Sequence, residues 1–161
     1  MKQVQWKMDS NIGPLYIVAS EVGLQGIFWK PRPVENLSLL NNPIIKKAVK
    51  EIEEFLNGKR FEFTVTLDIQ GTDFQKRVWR ELSAIPYGET RSYKEIAIKL
   101  NDKNASRAVG TANGKNPLSL VLPCHRVIAS DGTLGGYAGG LDIKVKLLNL
   151  EKSILTSKSP K

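Results

Sequence analysis

Ser92-Tyr-Lys-Glu-Ile-Ala-Ile-Lys-Leu-Asn-Asp-Lys-Asn-Ala-Ser-Arg-Ala-Val-Gly-Thr-Ala112 is the stretch whose reading decides the fold. Ser92 and Glu95 have capping-box spacing, so a short helix is predicted from Tyr93 to about Leu100. Asn101-Asp-Lys-Asn104 reads as a turn, and Ala105 to Ala112 as a second short helix. Two short helices across a tight turn have the form of a helix-turn-helix. The second helix has an unusual surface. Ala105, Ser106, Ala108 and Gly110 are small, and Arg107 is the one long side chain. A helix that reads the major groove carries several long polar side chains. Small residues around a single arginine suit a narrower groove, where Arg107 would enter a base stack and hold the place of a displaced base. The same small residues would also serve close packing in a core.

Charge points the same way. The chain has 161 residues and a net charge of +8. Residues 1–70 carry nine Lys/Arg against eight Asp/Glu, and residues 71–161 carry fifteen against eight. The excess lies almost wholly in the second half, which implies a polyanionic partner, most often nucleic acid. A solvated lysine surface is the plainer alternative. One cysteine and one histidine exclude an internal disulfide and argue against a Cys/His zinc site. No cofactor or metal signature is visible. There is no signal-peptide core and no membrane-spanning apolar run. A soluble cytoplasmic monomer is expected.

Upstream, Ile69-Gln-Gly-Thr72 marks a domain boundary, and Thr72 can cap a helix carrying Phe74, Val78, Trp79 and Leu82. Pro86-Tyr-Gly88 ends it. Within residues 1–70, Val4–Met8, Leu15–Val18 and Leu24–Trp29 are predicted strands of an antiparallel meander. Residues 31–41 read as a loop. Asn42-Pro43 opens a helix with an Ile44, Ile45, Val49, Ile52, Phe55 stripe, closed by Gly58. Phe61, Phe63, Val65 and Leu67 alternate, which predicts a half-buried strand.

Downstream, Asn113 to Pro117 reads as a turn cluster. The run Asn116-Pro-Leu-Ser-Leu-Val-Leu-Pro-Cys-His-Arg-Val-Ile128 brings together Cys124, His125 and Arg126. An isolated cysteine is more often a small buried hydrophobe than a nucleophile. In an extended strand, adjacent Cys124 and His125 would face opposite ways, so a bend at Pro123-Cys124 or a bridging water must reconcile them. Val127–Ala129 reads as a strand and Asp131-Gly132 as a turn. Leu134-Gly-Gly-Tyr-Ala-Gly-Gly140 is a glycine loop able to close around something flat. A last helix is predicted from Leu141 to about Ser153, with Val145 and Leu148 on one stripe and Ile143, Leu147 and Leu150 on the next. The expected domains are 1–70 and 71–154, with a frayed tail at 155–161.

Pro123-Cys-His-Arg-Val127 resembles the O6-alkylguanine-DNA alkyltransferases. So do Thr72-Asp-Phe-Gln75 with Val78-Trp79, Ile85-Pro-Tyr-Gly-Glu89, Ser92-Tyr93, Ala105 to Gly110, Asn116-Pro117 and Gly135-Gly-Tyr-Ala-Gly-Gly-Leu141, in family order. The resemblance is dense from about 71 to 151 and weaker before. It implies an α+β chain: a small N-terminal antiparallel-sheet, ribonuclease H-like domain, then a mostly helical, winged-helix-like domain with a helix-turn-helix. It implies single-turnover transfer of an alkyl group from O6-alkylguanine, and O4-alkylthymine, to Cys124, with no cofactor and no metal. His125 would draw the thiol proton, Glu151 would orient His125, and Asn116 would order the active-site segment. Tyr93 and Arg107, with Ala105, Ser106, Ala108 and Gly110, would bind the minor groove of alkylated double-stranded DNA and turn the base out. Pro123, Val127, Tyr137 and Ala138 would line its pocket. Some members carry Ser at position 138, so Ala138 removes a hydroxyl donor, and the ligands of the N-terminal zinc found in some members are missing. The rival readings are a non-catalytic sensor of alkylated DNA, a winged-helix regulator and a thiol hydrolase.

Overall fold

Alternating apolar residues in the first thirty positions build three strands: β1 (Val4–Met8), β2 (Leu15–Ala19) and β3 (Leu24–Phe28). Each successive pair is antiparallel, with Trp6 opposite Ile17 and Ile17 opposite Ile27. The structure is a computed structural model, and it describes residues 2–158. The described residues divide into two compact units, one of those up to 70 with 117–119, the other of 71–116 with those from 120 onward.

In the first unit the sheet order is β3-β2-β1-β4. β4 (Glu35–Asn36) pairs parallel with β1, a short strand inside the stretch expected to be loop. Helix α1 (Pro43–Leu56) starts as its sequence dictates, with the Asn42 side chain accepting from the Ile44 and Ile45 amides and proline in the first turn. Its buried side, Ile45, Ala48, Val49, Ile52 and Phe55, lies against β2 and β3, whose Leu15, Ile17 and Leu24 are fully buried. Pro117–Ser119 completes this unit: the Ile27 amide donates to the Pro117 carbonyl, and Trp29 Nε1 donates to Ser119 Oγ.

The predicted strand at Phe61–Leu67 does not form. Only Leu67 makes a bridge, to Leu24. The reason is a buried carboxylate. Glu51, on α1, accepts from the Thr64 and Val65 amides and the Thr64 hydroxyl, so these backbone donors are spent before any ladder can use them.

The second unit is helical. Helices α2 (Asp73–Ser83), α3 (Tyr93–Lys99) and α4 (Ser106–Gly114) pack on one another. Thr72 with Gln75, and Ser92 with Glu95, form complete capping boxes. Trp79 is buried and its Nε1 donates to the Ala112 carbonyl, tying α2 to α4. The turn between α3 and α4 reverses at Asn101, whose φ is 61°, a left-handed conformation that asparagine tolerates. α4 runs two residues into the expected turn cluster. The strands β5 (Arg91–Ser92) and β6 (Val127–Ile128) pair in parallel. Helix α5 (Leu141–Lys158) continues well past the predicted end at Ser153. The expected tail is therefore helical as far as Lys158, and residues 159–161 lie outside the described residues. Among the described residues, no helix is long and apolar enough to cross a membrane.

Gly23 supplies a test of the first unit. A Cβ there would stand 2.8 Å from the Thr66 carbonyl oxygen and 2.9 Å from the Leu67 carbonyl carbon, both main-chain atoms. Gly23→Ala is expected to lower unfolding stability by ~1–3 kcal/mol in a denaturant titration, as overpacking does. An unchanged midpoint would show that the 66–68 segment yields.

Candidate active site

The residues around Cys124 bend before they extend. Cys124–Arg126 is one turn of 3-10 helix, closed by the Arg126 amide on the Pro123 carbonyl at 2.9 Å. Successive side chains in such a turn project about a third of a revolution apart rather than to opposite faces. The bend expected from the sequence is thus present, and Cys124 and His125 both sit in buried surroundings, 3% and 0% exposed. The segment leading in is also constrained. Leu120, buried, has a φ of 77°, a left-handed backbone that costs a leucine energy and is held by its setting.

Helix α5 brings a carboxylate to this turn. Glu151 Oε2 lies 2.6 Å from His125 Nε2. Arg126 Nε donates to Glu151 Oε1 at 2.8 Å and its terminal nitrogen to Oε2 at 2.9 Å. The Gly88 amide donates to Oε1 at 2.9 Å. Arg126 also donates to the Ile85 carbonyl and stacks over the Tyr87 ring. Burial by itself would raise the Glu151 carboxyl, but the hydrogen bonds and charges of His125 and Arg126 outweigh it and hold its pKa at about 2. Glu151 is therefore ionised across the physiological range and can only accept, so Nε2 of His125 carries the hydrogen. Burial lowers the His125 pKa. The hydrogen bond and charge of Glu151 oppose this, while the charges of Arg126 and Lys144 reinforce it. A neutral imidazole with Nδ1 as its acceptor is the state at neutral pH.

Asn116 follows the C-terminus of α4. Its Nδ2 donates to the Leu122 carbonyl at 2.6 Å and so fixes the run before Pro123. Tyr93 begins α3, half-buried, against the glycine loop. Gly135 has a φ of 69°, a backbone that favours glycine, and a Cβ there would stand 2.6 Å from the Tyr93 hydroxyl oxygen. Burial raises the Tyr93 hydroxyl pKa, a backbone hydrogen bond with Gly136 opposes this, and the charge of Cys124 raises it further. Pro123 and Val127 are buried, Tyr137 is half-buried and Ala138 is exposed.

The surface of α4 differs in part from expectation. Arg107 and Ala108 are exposed, Ser106 and Gly110 are half-buried, and Ala105 is only 8% exposed. Ala105 precedes the first turn and packs inward, so it is not part of the exposed face.

Lys144 was not anticipated from the sequence. It is fully buried. Its Nζ donates to the carbonyls of Val127 at 2.7 Å, Gly136 at 3.2 Å and Leu134. It therefore ties the strand that follows Cys124 to the glycine loop. Position offered one clue: Lys144 lies seven residues before Glu151, on the same helix face. Among the described residues, no group of three or more His, Cys, Asp or Glu could hold a metal ion.

A sheet unit followed by a helix-turn-helix unit with a buried Cys–His–Glu cluster defines a cysteine-centred α+β protein. Residues 5–69 match the family model "6-O-methylguanine DNA methyltransferase, ribonuclease-like domain", and residues 73–153 match "6-O-methylguanine DNA methyltransferase, DNA binding domain". The methylated-DNA–protein-cysteine methyltransferase of Methanosarcina barkeri is 45% identical over 152 residues, covering 92% of this chain and 96% of that protein. The protein of the same name from Mycolicibacterium paratuberculosis is 54% identical over 148 residues, covering 90% of each. A solved structure of Mycobacterium tuberculosis OGT in complex with DNA matches with a TM-score of 0.84 at 42% identity, over 94% of each chain. The chain belongs to the 6-O-methylguanine DNA methyltransferase family.

The shared carboxylate supplies a pH test. Glu151→Gln is expected to cost ~3–5 kcal/mol at neutral pH, because Arg126 is left buried without its countercharge. A folded-state pKa of about 2 against an ordinary 4.5 means the contribution is complete above 4.5 and is lost as pH falls towards 2. Unfolding curves of wild type and variant should converge over that window. A difference that stays constant there would contradict the assignment.

Proposed function

We propose that this protein repairs DNA by direct reversal, moving the alkyl group of O6-alkylguanine onto Cys124 in a single irreversible step. The observation that carries this reading is the Cys124–His125–Glu151 arrangement in a chain of this family. Neutral His125, braced by ionised Glu151, accepts the Cys124 proton directly or through one water. The thiolate sulfur attacks the alkyl carbon, the S–C bond forms as the C–O6 bond breaks, and the electron pair leaves on the guanine. The guanine takes up a proton at its ring, for which a pocket hydroxyl such as that of Tyr137 is the donor. The product is a thioether with no easily expelled group, so one molecule serves once. A hydrolase would need a labile acyl-enzyme, and a sensor would have no use for a braced thiol.

Arg107 on the exposed side of α4 is assigned to the duplex, where it fills the place of the displaced base as α4 lies in the minor groove. Ser106, Ala108 and Gly110 allow the close approach, and Tyr93 stands at the entrance. Pro123, Val127, Tyr137 and Ala138 are assigned to the base pocket. With Ala at 138, donors to the alkylated oxygen come from the main chain. O4-alkylthymine is assigned as a second substrate, and the acting form is a cytoplasmic monomer.

Mixing the protein with duplex DNA containing O6-methylguanine should add the mass of one methylene group to the intact chain, and Cys124→Ala should gain nothing. No gain in wild type, or an equal gain in the variant, would sink the proposal. Arg107→Ala should slow repair of duplex DNA by ~100-fold while leaving reaction with free O6-benzylguanine nearly unchanged, as expected when only the extrahelical step is lost. Equal losses on both substrates would contradict the role given to Arg107.

A further inference from the structure

Two asparagines at the end of α4 reach the turn that carries Cys124. Asn116, just past the helix, donates from Nδ2 to the Leu122 carbonyl at 2.6 Å. Asn113, in the last turn of α4, donates from Nδ2 to the Cys124 carbonyl at 3.5 Å. The Asn116 amide donates to the Asn113 carbonyl, so the two lie one helical turn apart on the same side. The carbonyls they hold stand either side of Pro123. Both carbonyls already serve the turn itself: Leu122 accepts from the Cys124 amide at 2.7 Å, and Cys124 accepts from the Val127 amide. Each asparagine therefore adds a second donor to a carbonyl that has a second lone pair. The turn closes on its own bonds. What the asparagines add is its placement against α4.

Asn113 is poorly explained as a stabilising residue. It is 5% exposed, and its Oδ1 is buried with no hydrogen-bond donor among the described residues. A buried acceptor without a donor costs free energy, and one long bond at Nδ2 returns little of it. A leucine, branched at the same carbon, would carry no such cost. The amide is spent on the main chain of the one cysteine in the protein.

We propose that Asn113 is a positioning residue for alkyl transfer: its amide holds the Cys124 carbonyl and so fixes the rotation of the turn that aims the sulfur. The inference deepens the alkyl-transfer reading and rests on it. An in-line displacement needs sulfur, alkyl carbon and leaving oxygen in one line, and small errors of aim cost much of the rate. Turning the Cys124 peptide plane swings its Cα–Cβ bond, and with it the sulfur. The turn is held upstream by Asn116 at Leu122 and downstream by Glu151 at His125 and Arg126. Asn113 acts between these two anchors, at Cys124 itself.

The test is Asn113→Leu, assayed with free O6-benzylguanine and no DNA, so that handling of the duplex does not enter. The rate constant at saturation should fall about tenfold or more, with the half-saturating concentration unchanged. The pH dependence of Cys124 alkylation by iodoacetamide should not move, because the aim of the sulfur changes and its ionisation does not. The unfolding midpoint should not drop, because the unpaired acceptor leaves with the donor. A folded variant that reacts at the wild-type rate would overturn the proposal. So would a shifted thiol titration, which would make the effect one of charge. Should the bulk of leucine unfold the chain, Asn113→Ala is read by the same measures. An alanine variant that also fails to fold would make the side chain a structural support and overturn the proposal. Wild-type protein that reacts with iodoacetamide but with neither O6-benzylguanine nor alkylated DNA would instead refute the alkyl-transfer reading itself.

Discussion

The carboxylate of Glu151 is the point on which the second unit depends. It is 1% exposed and ionised. A buried charge of this kind is tolerated only when nearly every lone pair has a donor. The donors come from two further places in the chain. His125 and Arg126 reach it from the 3-10 turn, and the Gly88 amide reaches it from the Pro86–Glu89 turn. The glycine is needed there. Its φ is 83°, a left-handed backbone that L side chains rarely adopt. One side chain on α5 thus sets the tautomer of the imidazole, the orientation of the turn that carries Cys124, and the seat of the loop after α2.

A second buried charge on the same helix complements the first. Lys144 and Glu151 lie on the buried side of α5 with Leu147 between them. Glu151 holds the histidine, and Lys144 holds the carbonyls of Val127 and of the glycine loop. The glycine loop is free to bend by its composition, yet Lys144 and Tyr93 fix its course. A site made this way is preorganised by electrostatics rather than by apolar packing alone.

Much of this was legible in the sequence where the physics is local. Capping at Asn42, Thr72 and Ser92 depends on residues two or three positions apart, and all three caps form. Adjacent side chains at Cys124 and His125 call for a bend or a bridging water, and the chain bends there. The strand predicted at Phe61–Leu67 failed because its amides are claimed by Glu51, more than ten residues upstream. Apolar spacing on α5 placed Val145 on a buried stripe, whereas Val145 is 39% exposed and Lys144 is buried. Periodicity reads a helical lysine as solvated, and the carbonyls that draw this one inward belong to Val127 and the glycine loop. Ala105 turns inward for a similar reason: small size alone does not say which side of a helix is covered.

The central claim is that Cys124 serves as an acceptor used once. The most direct measurement is a stoichiometric titration: a fixed amount of protein, a large excess of duplex DNA carrying O6-methylguanine, and the lesion remaining counted after the reaction stops. Lesion loss should plateau at one equivalent per protein molecule. Loss that continues beyond one equivalent would show that the cysteine is regenerated, and would contradict it.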